Sequence, residues 1–257
     1  MLLTVDIGNT IIDVGIFKRD SLIKRWKLPT RKETTPFEYY SLIFPLLKDV
    51  SGEIKGGVLS SVVPSLTSVF QNIGRKFLKI DFLIVNWKVK TGLKILYSKP
   101  NTLGSDRIAN AVGAVTYYSL PSLVIDFGTA ITMEVVNEEK EYLGGVILPG
   151  IGISLKALFE RASLLPPVSI TPPSEFIGKT TESSICSGVI NGYVCLVEGM
   201  IKRFQEEIGK GLTVILTGGE AEWISAFLHL PHVFDPLLTL KGLKVIYDLN
   251  KGGRENE

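Results

Sequence analysis

The sequence predicts a mixed α/β protein built from two similar domains. Strand-like and helix-like stretches alternate along the 257 residues, which is typical of an α/β fold. The chain opens with three strand-like runs, so the first sheet is expected to begin antiparallel. An apolar run followed by Asp-x-Gly occurs at residues 2–10 and again at 123–130. A recurrence at such long spacing indicates two similar domains facing each other rather than a solenoid.

The first half carries the pattern of one such domain. Strands are predicted at 2–5, 11–18 and 22–28, and a helix follows at about 36–48, where Pro45 should kink or end it. Next come a buried strand from 56 into a turn at Pro64, a helix at about 65–78 and a strand at 80–85. A less regular stretch leads to a helix that ends near 118. The first domain is therefore predicted to span residues 1–119.

The second half begins at Ser122 and forms a domain of residues 120–257, whose last helix is a candidate to pack back on the first domain. Beyond the repeated motif we expect strands at 131–137, 141–148, 213–216 and 232–234. Helices are predicted at 151–161, 181–207, 221–228 and 237–249.

Composition narrows the functional classes. Apolar residues make up 45% and charged residues 21% of the chain, as in soluble globular proteins. A formal charge of +2 gives no electrostatic reason to expect nucleic acid or an anionic membrane as a partner. No apolar run is expected to reach the length of a bilayer span.

The cysteines and histidines point to a reducing compartment and away from zinc. Cys186 and Cys195 lie in one predicted helix, too far along it to form a bridge without a bend, and lone thiols fit a reducing cytoplasm. With only two histidines besides, a His/Cys zinc site is excluded. Any bound metal would be a hard cation with oxygen ligands.

The first candidate site is the turn that follows the first strand. Asp6 can hold Mg²⁺ through water, while Gly8, Asn9 and Thr10 offer amides and a hydroxyl to phosphates. The alternative is an ordinary β-turn in which Asp caps the turn. The second copy, with Asp126, Gly128 and Thr129, favours the phosphate-binding interpretation.

A second candidate is Thr217-Gly218-Gly219, which follows an apolar strand. Glycines there let the backbone approach a ring or ribose closely. The alternative, favoured for three residues taken alone, is a simple turn from strand to helix.

The third candidate, Gly104-Ser105-Asp106-Arg107, places an acid beside a base at the start of a helix. Asp106 can accept the proton of an attacking hydroxyl, and Arg107 can neutralise transferring phosphoryl oxygens. The alternative is an N-cap at Ser105 or Asp106 with a solvated Arg107.

Taken together, these motifs resemble those of type III pantothenate kinases, which belong to the superfamily of actin, sugar kinases and chaperone ATPases. The resemblance covers about residues 2–246 and rests on the order of the motifs, each of which is weak alone. In chain order they are Asp6-Ile-Gly-Asn-Thr10, Ser61-Val-Val-Pro64, Gly104-Ser-Asp-Arg107, Asp126-Phe-Gly-Thr-Ala-Ile-Thr132, Gly144-Gly-Val-Ile-Leu-Pro-Gly150, Gly178-Lys-Thr-Thr181 and Thr217-Gly-Gly219.

The resemblance implies two ribonuclease-H-like, actin-like ATPase domains, with mixed sheets flanked by helices, that face across a cleft. It implies a cytoplasmic homodimer that transfers the γ-phosphoryl of ATP to the primary hydroxyl of pantothenate, the first step toward coenzyme A. Mg²⁺ and a monovalent cation, K⁺ or NH₄⁺, are the implied cofactors. Neither nucleic acid nor membrane is an expected partner.

The resemblance also implies roles for single residues. Asp106 would be the general base with Arg107 beside it, and Asp126 would hold the monovalent cation. Asp6 would hold Mg²⁺ through water. The implied ATP-binding residues are Asp6, Gly8, Asn9, Thr10, Thr129, Thr217, Gly218 and Gly219. The implied pantothenate-binding residues are Tyr97, Gly104, Ser105, Asp106, Arg107 and Thr181, the last acting across the dimer interface.

The sequence departs from the family pattern at a few positions. Lys99 stands in Tyr97-Ser-Lys-Pro100 where the family often has Asn, which puts that part of the pantothenate pocket in doubt. Ser105 replaces a frequent Ala, Thr180 a frequent Asn and Cys186 a frequent Gln. The alternatives are another small-molecule kinase of the superfamily, a non-catalytic accessory transcription factor and an actin-like filament protein.

Overall fold

The structure, a computed structural model, describes residues 1–251. The chain divides into two compact units. The first contains residues 1–118, 139–143 and 237–251, and the second contains residues 119–138 and 144–236. The predicted domain boundary at residue 119 stays a prediction, and the end of the predicted second domain, 252–257, lies outside the described residues.

The first unit is built on a mixed five-stranded sheet. Its strands are β1 (Leu2–Ile7), β2 (Ile11–Lys18), β3 (Ser21–Pro29), β4 (Gly56–Ser61) and β5 (Phe82–Ile84), in the order β3-β2-β1-β4-β5. The first three strands are antiparallel, as predicted, whereas β4 runs parallel to β1 and to β5. Most residues of β1 and β2 are buried on both faces of the sheet, because helices pack against each face.

Two helices complete one face of the first unit. Helix α1 (Pro36–Leu47) begins at a capping box, in which Thr35 and Glu38 exchange hydrogen bonds, and α2 (Pro64–Ile73) begins with Pro at its first position. The rings of Tyr39 and Phe70 pack with centroids 5.4 Å apart. Further buried apolar residues extend a core that includes Leu3, Val5, Ile7, Ile12, Val14, Ile16, Tyr39, Ile43, Leu47, Leu59, Leu66, Phe70 and Ile73.

Helices α3 (Ser105–Tyr117) and α7 (Leu238–Lys251) pack against each other and on β1 and β4. The two helix backbones approach closely: a Cβ on Gly113 would lie 2.8 Å from the carbonyl oxygen of Leu238. The hydroxyl of Thr239 also donates to the side-chain oxygen of Asn110 at 2.7 Å. A short strand, β6 (Lys94–Ile95), pairs in parallel with Glu141 and Tyr142 at the start of β9 (Glu141–Pro149).

The second unit contains a second mixed sheet. Its strands β7 (Ser122–Phe127), β8 (Ala130–Val136), β10 (Thr213–Gly218) and β11 (Val233–Phe234) join β9 in the order β11-β10-β7-β8-β9. Its helices are α4 (Ile151–Arg161), α5 (Thr181–Ile208) and α6 (Ala221–Ser225). Their apolar faces bury a core of Leu123, Ile125, Phe127, Ile131, Met133, Val135, Ile151, Val197, Ile201, Leu212, Val214, Leu216, Ala221 and Ile224.

Two predicted elements need refinement. Helix α1 spans Pro36–Leu47, close to the predicted 36–48, and continues two residues beyond Pro45. The helix predicted at 65–78 is present in extent, but α2 ends at Ile73 and Gly74–Leu78 continue it as a wider π-helical turn that closes at Lys79 with a positive φ of 56°. Helix α6 ends at Ser225 rather than 228, where the Ser225 hydroxyl lies 2.7 Å from Nε2 of His232.

The expectation about bilayer spans also needs correction. Within the described residues, α5 is long and apolar enough, by length and composition, to cross a membrane. A core helix of a soluble protein passes the same test, and α5 contributes Ile190, Val197 and Ile201 to buried positions. The property is therefore weak support for a membrane segment.

Candidate functional site

The turn between β1 and β2 is closed by backbone hydrogen bonds. The N–H of Gly8 donates to the carbonyl of Ile11 at 2.9 Å, and a Cβ on Gly8 would lie 3.0 Å from that oxygen. Asn9 and Thr10 at its tip are exposed. From the next segment, Thr30 donates its hydroxyl to the carbonyl of Gly8 at 2.7 Å and its N–H to that of Thr10 at 2.9 Å. The turn is thus anchored on its carbonyl side.

Asp6 lies next to this turn, near the end of β1. In the sheet it stands opposite Asp13 of β2 and Ser60 of β4, so the three side chains share one face. Both oxygens of Asp13 are held by Arg25, whose Nε lies 3.0 Å from Oδ1 and whose second guanidinium contact to Oδ2 is 2.5 Å. The Arg25 charge offsets one of two neighbouring carboxylates, which lowers the cost of placing them side by side.

Ser105, at the start of α3, is fixed to the end of β4. Its hydroxyl accepts from the hydroxyl of Ser60 at 2.9 Å and from the N–H of Ser61 at 2.9 Å, and it donates to the Ser61 carbonyl at 3.2 Å. Only 6% of Ser105 is exposed. These bonds join the strand next to Asp6 with the helix that carries Asp106. The predicted contact of Ser105 with pantothenate stays a prediction.

Asp106 lies in the first turn of α3, and burial raises the pKa of its carboxyl above the ordinary value for Asp. The backbone N–H of Arg107, 2.8 Å from Oδ1, and the charge of Arg107 oppose that shift without cancelling it. The preceding residue, Gly104, leaves room for the carboxyl, since a Cβ there would overlap Oδ1 of Asp106. A carboxyl whose ionised form is disfavoured is suited to accept a proton.

Arg107 is the buried cation of this helix start, with only 6% of the residue exposed. Its guanidinium carbon lies 5.9 Å from the ring centroid of Tyr97 and 6.0 Å from that of Tyr142. The two rings contact each other edge to face at 6.2 Å. The predicted residues Tyr97, Asp106 and Arg107 therefore lie together in the first unit.

In the second unit, Asp126 ends β7 beside the turn at Thr217–Gly219. Thr217 of β10 pairs with Asp126, and Gly218 has a φ of +98°. A Cβ on Gly218 would lie 2.5 Å from Oδ1 of Asp126 and 2.5 Å from the carbonyl oxygen of Phe127. Glycine is required here both by φ and by the two oxygens that approach its Cα.

The second Asp-x-Gly turn is closed by a bond from the N–H of Gly128 to the carbonyl of Ala130 at 3.1 Å. The carbonyl of Thr129 accepts the N–H of Gly150 at 3.1 Å, so the Pro149-Gly150 motif packs directly on this turn. Glu220 donates its N–H to the carbonyl of Phe127 at 3.3 Å. Its carboxyl accepts the N–H of Ile151, but burial raises its pKa.

Thr181 occupies a different environment within the second unit. Thr180 is the N-cap of α5 and forms a capping box with Ser183, which leaves Thr181 exposed as the first helical residue. Thr181 lines an open surface cavity of about 780 Å³ between α4, α5 and the preceding loop. Its neighbours there include Leu158, Leu165, Lys179 and Ile185.

Among the residues around these sites that sequence reasoning missed are Thr30, Ser60 and Glu220. Ser60 could have been identified from the sequence, because it directly precedes the motif Ser61-Val-Val-Pro64 at the end of a strand. Glu220 directly follows Thr217-Gly218-Gly219 and could have been identified in the same way. Thr30 could not, since its contact with Gly8 joins residues 22 positions apart.

Each unit thus offers a glycine turn beside a carboxylate. The first unit adds a partly buried acid and a buried guanidinium, which are the kinds of group that can deprotonate a hydroxyl and stabilise a phosphoryl group in transfer. Within the described residues no group of three or more His, Cys, Asp or Glu side chains could hold a metal ion by itself. A metal that acts here would take most of its ligands from a substrate and from water.

Among solved structures, the chain resembles a conserved Baf family protein of Campylobacter jejuni that has been named a transcriptional activator. The TM-score is 0.59 at 22% identity, over 97% of this chain and 99% of that one. The A component of Acidaminococcus fermentans (R)-2-hydroxyglutaryl-CoA dehydratase matches with a TM-score of 0.55 at 14% identity, over 98% and 99%. At these identities the similarity shows the fold alone, and it agrees with the mixed α/β fold of two sheets that the sequence predicts.

Sequence comparison goes further. A curated type III pantothenate kinase from Bacillus cytotoxicus is 44% identical over 253 residues, covering 97% of this chain and 97% of the relative. The sequence model of type III pantothenate kinases matches residues 2–203, a range that includes Asp6, Asp106, Asp126 and Thr181. This chain belongs to the type III pantothenate kinase family.

Proposed function

We propose that this pantothenate kinase uses Asp106 as its general base in the transfer of the ATP γ-phosphoryl to the primary hydroxyl of pantothenate. The product is 4′-phosphopantothenate, formed in the first step of coenzyme A biosynthesis. The observation that carries the assignment is the partly buried carboxyl of Asp106 at the start of α3, whose raised pKa suits it to accept a proton. Arg107, buried beside it, would stabilise the charge on the transferring group.

Pantothenate would contact the start of α3 and the ring above Arg107. Gly104 gives the substrate hydroxyl access to Asp106, because no side chain covers that carboxyl from its position. Tyr97 lies 5.9 Å from the Arg107 guanidinium and would border the acceptor pocket. Ser105 would act mainly by fixing the helix start, since β4 already occupies its hydroxyl.

ATP would bind through both glycine turns. Gly8, Asn9 and Thr10 would meet the phosphates in the first unit, and Thr129 would do so in the second. Thr217, Gly218 and Gly219 would lie near the nucleoside. Support comes from the exposure of Asn9, Thr10 and Gly219 next to strand ends. Donors fixed before binding lose little entropy when they meet a phosphate.

Mg²⁺ would be held by the ATP phosphates and water, with Asp6 as the protein carboxylate behind them. The donor set fits this role, because a single carboxylate suits a Mg²⁺ ion that keeps several waters. Asp13 is held by Arg25 and would remain a neighbour of the site. When bound, the ion neutralises charge on the phosphates.

A monovalent cation, K⁺ or NH₄⁺, would bind at Asp126. The carboxyl oxygen of Asp126 and the carbonyl oxygen of Phe127 both lie 2.5 Å from the position of a Cβ on Gly218, as does the backbone nitrogen of Phe127. Such a pair of oxygens fits a hard cation of low charge. We expect the enzyme to be active in K⁺ or NH₄⁺ but not in Na⁺.

The protein would act as a homodimer, with Thr181 reaching pantothenate across the interface. Large apolar side chains are unusually exposed on and after α4, with Leu164 at 94%, Phe176 at 76% and Ile177 at 75%. An exposed apolar surface of this kind marks an interaction site. The cavity that Thr181 lines borders on the same loop.

The protein would be cytoplasmic, with neither nucleic acid nor membrane as a partner. Both cysteines are free thiols, Cys186 buried and Cys195 exposed, which suits a reducing compartment. The formal charge of +2 gives little attraction for polyanions.

The decisive experiment measures ATP-dependent formation of 4′-phosphopantothenate, with K⁺, NH₄⁺ or Na⁺ as the monovalent ion. Asp106→Asn should lower turnover about a hundredfold or more, as for loss of a general base. Near-normal turnover in that variant would refute the role of Asp106, and full activity in Na⁺ alone would refute the cation site. DNA binding without turnover would favour an accessory transcription factor.

A further inference from the structure

We propose that Thr30 is a positioning residue for the nucleotide phosphates. It lies just beyond β3, is partly buried, and is not among the residues that the family pattern pointed to. The inference rests on the proposed binding of ATP at the turn of Gly8 to Thr10 and adds the residue that sets the direction of that turn.

Thr30 makes two hydrogen bonds to the turn from a single residue. Its hydroxyl donates to the carbonyl of Gly8 at 2.7 Å, and its N–H donates to the carbonyl of Thr10 at 2.9 Å. The two carbonyls therefore face Thr30. A further contact of the turn, from the N–H of Gly8 to the carbonyl of Ile11, closes it without involving the carbonyls of Gly8 and Thr10.

Because the Gly8 carbonyl is fixed, the direction of the next N–H in the chain is fixed as well. A trans peptide is planar, so the carbonyl of one residue and the N–H of the next point in opposite directions. With the Gly8 carbonyl drawn toward Thr30, the N–H of Asn9 points away from Thr30. Asn9 is exposed, so this N–H is directed to the accessible side of the turn.

The hydrogen bond from Thr30 to the Gly8 carbonyl also reduces repulsion between that carbonyl and a bound phosphate. A carbonyl oxygen rotated toward a phosphate would repel it, and a bond that holds the carbonyl elsewhere removes that conformation from the free protein. Pre-organisation of this kind strengthens binding because fewer rotations are lost when the ligand arrives.

Thr30 is itself held by the core of the first unit. The Tyr39 hydroxyl accepts the N–H of Arg31 at 2.6 Å and lies 3.2 Å from the carbonyl of the same residue. Tyr39 is fully buried and packs on Phe70. A rigid buried side chain thus fixes the segment next to Thr30, and Thr30 fixes the turn.

The test compares Thr30→Val with Thr30→Ser. Valine keeps the shape and the backbone N–H but removes the hydroxyl donor, whereas serine retains the donor. We expect Thr30→Val to raise KM for ATP about five- to tenfold, the effect of losing one partly buried hydrogen bond, with KM for pantothenate unchanged. Thr30→Ser should stay within about twofold of the wild type, since it keeps that bond.

A binding measurement separates this idea from the proposed reaction. The Kd of a non-hydrolysable ATP analogue with Mg²⁺ should rise by the same factor in Thr30→Val. Thr67→Val is the matched control, because the Thr67 hydroxyl reaches only the Val63 carbonyl within α2 at 3.4 Å. If the wild type bound the analogue but did not phosphorylate pantothenate, the proposed function would fail while the Thr30 comparison would still decide this inference.

An unchanged Kd in folded Thr30→Val overturns the proposal, as does an equal loss of affinity in Thr67→Val. Thermal unfolding establishes that each variant is folded. Should Thr30→Val not fold, Tyr39→Phe carries the test, since it loosens the segment next to Thr30 without touching the turn. A raised Kd in Tyr39→Phe then supports the positioning role, and a wild-type Kd contradicts it.

Discussion

Gly104 and Asp106 stand in a steric relationship that only glycine permits. A Cβ at position 104 would overlap Oδ1 of Asp106. The backbone of Gly104 has φ −59° and ψ 138°, values open to any residue. Space for the carboxylate, rather than backbone conformation, is therefore what requires glycine at this position.

Gly104→Ala should displace the Asp106 carboxylate and lower kcat about tenfold or more, because a base shifted by a fraction of an ångström loses its hydrogen-bond geometry. KM for ATP should change little. The control is Gly52→Ala in the same unit, where no atom lies within 4 Å of the added Cβ. Steady-state kinetics give kcat for both variants. A wild-type kcat in Gly104→Ala would contradict the steric relationship between Gly104 and Asp106.

The pH dependence of kcat/KM should report the pKa of Asp106 in the free enzyme. The base must be ionised to accept a proton, and burial raises its pKa. Activity should therefore fall on the acid side at a pH above the ordinary Asp value of about 3.9. Replacement by Asn should remove this acid limb from the residual activity. A limb at or below the ordinary value would contradict the proposed environment.

Gly218→Ala should destabilise the second unit. The residue has φ +98°, and its Cβ would lie 2.5 Å from Asp126 Oδ1 and from two backbone atoms of Phe127. Strain and displacement together should cost about 1–3 kcal/mol of unfolding free energy. Gly219→Ala is the matched variant, since nothing lies within 4 Å of its Cβ. Denaturant titration of both proteins gives the difference, and equal stabilities would count against the observed packing.

Glu220→Gln should change stability in a pH-dependent way. Burial raises the folded-state pKa of Glu220, so its neutral form is the favoured one, and that contribution is lost as the pH rises through the folded pKa. Gln resembles the neutral form. The variant should thus unfold at a higher temperature than the wild type at pH 8, with the difference closing below the ordinary Glu pKa of about 4.3. Glu222→Gln, an exposed neighbour, serves as control.

Local pattern sufficed for much of the fold. The bounds predicted for β2 and α4 agree with the structure, because alternation and helical spacing are properties of neighbouring residues. The change to a π-helical turn after Ile73 could not be predicted, because Gly74 packs against Ile80 and Phe82 from later in the chain.

The residues of the candidate site also fall into two groups, those that a local motif identifies and those that depend on contacts between distant residues. Asp6, Asp106 and Asp126 were identifiable because each stands in a short motif at an element end. Thr30 and the ring of Tyr142 over Arg107 were not, since both contacts join distant residues. The pKa of Asp106 depends on burial, which no local pattern reports.

The packing of α7 on α3 has a consequence for the order of synthesis. The helix that carries Asp106 packs on α7, whose buried residues Leu238, Leu240 and Leu243 are synthesised after the whole second unit. The first unit cannot complete its interior while the second is being made. A nascent chain that stalls before residue 237 would therefore leave the helix that carries Asp106 uncovered, and its apolar side would be open to chaperones until α7 is made.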